Sequence, residues 1–124
     1  MAWEVLENNY IANLLEHVFD EKDTKLVYIK EKIKRRGIEY ISLSEYNYIR
    51  KKNELPLISL KNINNLLFET VTTYTEINES TGISRPMLSM ILRGTRNTTI
   101  NSLKKICNCI SKKNPKVNKE LIME

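Results

Sequence analysis

A chain of 124 residues, 41% of them hydrophobic, has the length for one domain, or one domain with a helical extension, and enough apolar content for a packed core. No apolar run approaches the roughly 20 residues needed to span a bilayer. The opening MAWEVLENNY is acidic where a secretion signal would be basic and then apolar, so a cytoplasmic protein without a membrane partner is expected. The net charge of +5 is unevenly spread. Residues 1–23 carry six acids and one lysine, and residues 24–36 six bases and one acid. From Ser80 to Lys119 stand nine Lys or Arg and no Asp or Glu. An acid-free stretch of this length is an electrostatic footprint for phosphates, with a solvated basic face as the plainer alternative.

Residues 2–20 read as a helix, with Trp3, Leu6, Tyr10, Ile11, Leu14, Leu15, Val18 and Phe19 at three- and four-residue steps. The apolar arc is wider than one packing face requires, which suits either burial within the chain or contact with a second subunit. His17, the only histidine, falls within that arc as a core or boundary residue. Asp23-Thr24 opens a second helix that runs to Arg36 and ends at Gly37. Leu26, Ile29 and Ile33 form its inner stripe. Lys30, Lys32, Lys34, Arg35 and Arg36 leave its outside basic, either solvated or against DNA. In Ile38 to Asn53, IEYISL alternates like a short strand, but Ser42-Leu43-Ser44-Glu45 fits a capping box and favours a helix to about Lys52. Leu55-Pro56 then breaks it.

Ser59 to Thr70 reads as a helix with Ile63, Leu66 and Leu67 inward. Two short amphipathic runs follow, TYTEINEST and SRPMLSMILR, separated by Gly82-Ile83. Gly82 suits a left-handed helix end, Ser84 an N-cap, and Pro86 a first turn where a missing N–H costs little. Ile77, Ile83, Leu88 and Ile91 share a buried face, leaving Arg85, Pro86, Ser89 and Met90 on the other. This junction predicts a helix-turn-helix, whose second helix enters the DNA major groove. Gly94 to Thr99 is a polar loop, and Thr99 caps a helix from Ile100 to about Ser111 with Leu103, Ile106, Cys107 and Ile110 inward. Cys107 and Cys109 lie about 200° apart around that helix, so they cannot share a metal there. A core thiol and a flanking thiol are expected. Lys112 to Glu124, interrupted by Pro115, reads as a frayed basic tail.

An internal echo is also present. Ile41-Ser42 with Tyr46, Ile49 and Lys51 parallels Ile83-Ser84 with Leu88, Ile91 and Arg93, and SLKNINNLL parallels SLKKICNCI. It reads either as a degenerate first helix-turn-helix or as chance likeness between amphipathic helices.

Residues from about Ser59 to Ile110, roughly two-fifths of the chain, resemble the phage-repressor Cro-type helix-turn-helix family, also called the XRE family. The pieces that carry the resemblance are Thr73, Glu76 and Ile77, then Gly82-Ile83-Ser84-Arg85, Leu88 and Ile91, Arg93-Gly94, and Ile100, Leu103 and Ile106. The resemblance implies an all-α fold, a helix-turn-helix domain of four to five short helices with an N-terminal helical extension. The chain then divides into an N-terminal helical region at 1–55, read from its own pattern as a degenerate motif or a dimerisation segment, the Cro-type domain at 56–111 and the tail at 112–124. It implies base contacts from Arg85, Pro86, Ser89 and Met90, and phosphate contacts from Tyr74, Arg93, Arg96 and Asn97. The implied partner is double-stranded DNA, bound by a homodimer. The implied role is a sequence-specific transcriptional regulator, a repressor at an operator, of bacterial, phage or plasmid origin. Two positions depart from the family pattern. Asn78 stands where alanine is usual, and it either widens the helix crossing or bonds locally. Val71 stands for a frequent glycine. The motif also lies in the C-terminal half.

The alternative is a protein-interaction module on the same scaffold, binding its partner through the N-terminal helix. No enzyme is expected. The chain has no glycine-rich phosphate loop, no paired metal-ligand spacing and no histidine near a candidate nucleophile, so no catalytic residue, metal, cofactor or small-molecule ligand is assigned.

Overall fold

The computed structural model describes residues 22–114 and Ile122. The helix expected over residues 2–20, with its wide apolar arc and His17, lies outside the described residues. Six α-helices follow: α1 Thr24–Arg36, α2 Leu43–Lys52, α3 Leu60–Glu69, α4 Tyr74–Thr81, α5 Arg85–Arg93 and α6 Ile100–Lys113. A 3-10 turn, Ile38–Tyr40, joins α1 to α2. Among the described residues there is no strand, only an isolated antiparallel bridge between Ser42 and Thr99. The strand-like alternation at IEYISL is thus resolved into the 3-10 turn and this bridge.

Each helix begins where a short polar side chain meets the backbone. Asp23, Ser42, Ser59, Thr73, Ser84 and Thr99 accept from the N–H three residues on, at 3.1–3.3 Å. Each such bond satisfies a donor the helix cannot, worth about 1 kcal/mol. The capping box at Ser42 is complete, because Glu45 Oε1 accepts in return from the Ser42 N–H at 2.9 Å. Glu45 also meets Lys32 Nζ at 3.1 Å, tying α2 to α1. Partial burial pushes the Glu45 carboxyl upward. The Ser42 N–H, Lys32 and the Ser42 hydroxyl outweigh it, and the group ends below its ordinary range.

One core runs through all six helices. It joins Leu26, Ile29 and Ile33 of α1, Tyr46 and Ile49 of α2, and Ile63, Leu66 and Leu67 of α3 to Ile77, Leu88, Ile91 and Leu92. Ile100, Leu103, Ile106 and Ile110 of α6 run through its centre. The helices α1 and α2 therefore share their core with the helices after them. Backbone bonds stitch the same halves together: Leu43 N–H donates to Thr98 O at 2.8 Å, and Ile100 N–H to Ile41 O at 2.9 Å.

Two expectations are corrected. The tail is not frayed throughout, because Ile122 is fully buried and its carbonyl accepts from the Ser59 N–H at 2.7 Å. Ser59 caps α3 with its side chain, and Ile122 occupies its backbone donor. Helix α6 ends at Lys113, in keeping with the expected end at about Ser111. Cys109 is buried along with Cys107 rather than flanking the core, and both are free thiols. Burial, with the neighbouring Cys109, pushes the Cys107 thiol far upward and keeps it protonated.

Candidate nucleic-acid interface

Helices α4 and α5 meet at a turn built from local bonds. Gly82 ends α4 at φ 78°, ψ −1°, a left-handed geometry that costs a glycine little. Its N–H donates to Asn78 O at 2.8 Å. The Thr81 hydroxyl donates to Ile77 O at 2.7 Å and accepts from the Ile83 N–H at 3.2 Å. Asn78, where the family resemblance leads one to expect alanine, donates its side-chain amide to Ile83 O at 2.8 Å. The bulkier residue is thus used as a strut across the turn. Ser84 caps α5 and Pro86 takes its second position, where no N–H is required.

Helix α5 is divided cleanly. Leu88, Ile91 and Leu92 are buried, with Met87 packed partly against the core. Arg85, Pro86, Met90 and Arg93 are exposed and Ser89 is half-buried. At 100° per residue these five positions fill one arc of about 140°, opposite the buried one. The four residues assigned to base contact therefore share one solvent-facing surface, continued by Arg93. Leu92 was absent from the expected buried face, although its place one step from Ile91 on the apolar arc signals it.

The loop after α5 is equally ordered. Gly94, at φ 77°, ψ 11°, caps the helix. The Met90 carbonyl then receives the Thr95 N–H at 3.1 Å, the Arg96 N–H at 3.3 Å and the Thr95 hydroxyl at 3.2 Å. This curl places Arg96 and Asn97, both exposed, directly beyond Arg93. Thr98 is buried, and the bridge to residues 41–43 holds the far end of the loop. Among the described residues no acid pairs with Arg85, Arg93 or Arg96. Tyr74 opens α4 and is half-buried, packed against the core. Glu76, two residues on, is paired with Lys113 of α6 at 2.6 Å, which lowers its carboxyl below the ordinary range. That contact fastens α4 to α6.

One residue the sequence reading missed holds the surface from behind. Asn64 of α3 donates to Leu60 O at 2.9 Å and to Leu92 O at 2.8 Å. A polar residue on the flank of an amphipathic helix carries no sequence signal of such a role.

The internal echo does not extend to a second reading surface. The residues 42 positions upstream of Ser89 and Met90 are Asn47 and Tyr48. Asn47 is engaged with Ile58, donating to its carbonyl at 3.2 Å and accepting from its N–H at 2.9 Å. Tyr48 donates to Asp23 Oδ2 and lies beneath the ammonium groups of Lys25 and Lys52, 4.4 and 5.5 Å from its centroid. The SLK segments also begin their helices in different registers. Ser59 is the cap of α3, whereas Ser102 lies inside α6 and donates its N–H to the cap Thr99.

Among the described residues, no cluster of His, Cys, Asp or Glu is placed to hold a metal, and no helix is long and apolar enough to cross a membrane. Comparison of the chain with protein-family models, with curated proteins and with solved structures gave no match.

Proposed function

We propose that this chain is a sequence-specific double-stranded DNA-binding regulator that represses transcription by occupying an operator, with α5 as its recognition helix. The observation that carries it is the outer arc of α5. Arg85, Pro86, Ser89, Met90 and Arg93 lie on one acid-free surface, backed by three fully packed apolar residues and followed by a basic loop. A major groove about 12 Å wide admits a helix presented this way. Arg85, in the first turn, has the reach and the two parallel donors for guanine O6 and N7. Pro86 and Met90 offer apolar contact to a thymine methyl, and Ser89 a hydrogen bond to either base class. Arg93, Arg96 and Asn97 take backbone phosphates, with Tyr74 at the start of α4 as a further phosphate donor.

Among the described residues there is one such surface, because the corresponding face of α2 is occupied by Asn47 and Tyr48 contacts. A palindromic operator would therefore be read by a homodimer, one α5 per half-site, with half-sites about one helical turn apart. Selection of bound duplexes from a random pool, followed by a salt titration of the winner, tests the proposal. The expected winner is a palindrome whose affinity falls steeply with salt. A pool that shows no enrichment would overturn the sequence-specific reading.

A further inference from the structure

Helix α1 carries a second basic surface, away from α5. It packs chiefly on the 3-10 turn and on α2, whereas α5 packs on α3 and α4. Tyr28, Lys32, Arg35 and Arg36 line one shallow groove on it. Their spacing of four, seven and eight residues from Tyr28 puts all four on one helical face. Tyr28 is 61% exposed.

The other bases of α1 are engaged. Lys25 lies over the Tyr48 ring, Lys34 pairs with Glu31 at 4.0 Å, and Lys30 has a partner too. Within the groove, Lys32 is held by Glu45. Arg35 and Arg36 have no acidic partner among the described residues, and they stand in the last turn of α1, lining the same groove as Tyr28. Two guanidiniums without an acidic partner among the described residues, in one groove with an exposed ring, offer charge for phosphates and a surface for stacking. A duplex buries its base faces and would leave the ring unused, whereas an unpaired base fills it. From Tyr28 to Arg36 the helix rises about 12 Å, longer than one nucleotide needs to join base and phosphate.

We propose that this groove binds single-stranded nucleic acid, with one base stacked on Tyr28 and the adjoining phosphates held by Arg35 and Arg36. The site is independent of the α5 surface and stands whether or not α5 reads a duplex.

The test uses the full chain and fluorescence anisotropy with a labelled short oligothymidylate, which forms no duplex with itself. Thymidine monophosphate serves as the mononucleotide arm. Three variants are compared with the parent: Tyr28→Ala, Arg35→Ala with Arg36→Ala, and Arg85→Ala with Arg93→Ala. All replaced side chains are exposed, so thermal melting should confirm that each variant folds like the parent. The two α1 variants are expected to lose about tenfold in oligothymidylate affinity, while the α5 variant keeps it. Thymidine monophosphate should compete poorly. Unchanged affinity in both α1 variants would overturn the site. Loss only in the arginine variant would overturn the stacking role and reduce the groove to a generic charged face. Competition by thymidine monophosphate equal to that of the oligomer would overturn the strand assignment in favour of a mononucleotide.

Discussion

The side-chain amide of Asn64 donates to the main-chain carbonyl of Leu92 at 2.8 Å, fastening α3 to the last turn of α5. That carbonyl is one of the last four of the helix, which have no partner within it. The far end of α5 is thereby fixed by a side chain from another helix, and the near end by the Ser84 cap. Asn64→Ala removes this bond and the one to Leu60, and should cost about 1–2 kcal/mol in a urea titration. In the same variant, duplex affinity should fall for cognate and random sequences together, because the whole helix loosens while its base-facing side chains remain. A variant with full stability and full affinity would deny Asn64 this role.

Arg85 and Arg96 are both exposed on the proposed interface but stand at different stations. Arg85 lies in the first turn of α5, and Arg96 in the loop curled beneath the Met90 carbonyl. Arg85→Ala should weaken cognate binding by about 1–3 kcal/mol and relax sequence choice near one base pair. Arg96→Ala should weaken all sequences alike and flatten the salt slope by about one. Paired binding isotherms on cognate and random duplexes separate the two. Equal losses on both duplexes for Arg85→Ala would sink its assignment to base readout.

Val71 sits at φ 55° in the turn between α3 and α4, with 72% of its surface exposed. A β-branched residue there is strained, because its Cβ crowds the carbonyl oxygen. The turn holds it in place through Thr72 N–H to Leu67 O at 2.9 Å and the Thr70 hydroxyl to Leu66 O at 2.8 Å. Val71→Gly relieves the strain and gives up almost no buried surface, at the cost of extra freedom in the unfolded chain. The balance should be a gain of about 0.5–1 kcal/mol, read as a higher urea midpoint at unchanged slope. A lower midpoint would mean that the strain is absorbed elsewhere in the turn.

Much of this fold was legible because its signals are local. Ser42 with Glu45, Ser59, Ser84 and Thr99 announce their helices within four residues, and the glycines at 37, 82 and 94 mark the ends. The stripes Leu26-Ile29-Ile33 and Leu103-Ile106-Ile110 are likewise written in spacing alone. What escaped depends on partners distant in sequence. Nothing near Ile122 signals that its carbonyl meets Ser59, since a short apolar pair in a polar tail reads as exposed. Nothing near Ile41 signals the bridge to Thr99, so residues 1–55 read as separable from the rest. Arg50 is a charged residue with no sequence signal of burial, yet it is 3% exposed, with its Nε donating to Pro56 O and its guanidinium 5.8 Å from the Tyr46 ring centroid. For the proposed interface, spacing gave the shared arc of α5, and only the folded structure gave the Asn64 tether and the engagement of Asn47 and Tyr48.

Asp23 joins α1 to α2 and makes that junction acid-sensitive. Its carboxylate accepts from the Tyr48 hydroxyl and the Leu26 N–H and lies 3.0 Å from Lys52 Nζ. These three, the tyrosine foremost, lower its pKa from 3.8 to about 2. A folded value below the unfolded one means that the charged form favours the fold. The contribution is fully present above the unfolded value near 3.8 and disappears as pH falls through about 2. Asp23→Asn keeps an oxygen to cap α1 and removes the charge. The parent should therefore be more stable than this variant at neutral pH, and the gap should close as the pH drops from 4 toward 2. Tyr48→Phe, which removes the strongest of the three contacts, should raise the Asp23 titration midpoint seen by carboxyl NMR. A gap that stays constant to pH 2, or an Asp23 midpoint unmoved in Tyr48→Phe, would show that the acid response arises elsewhere in the chain.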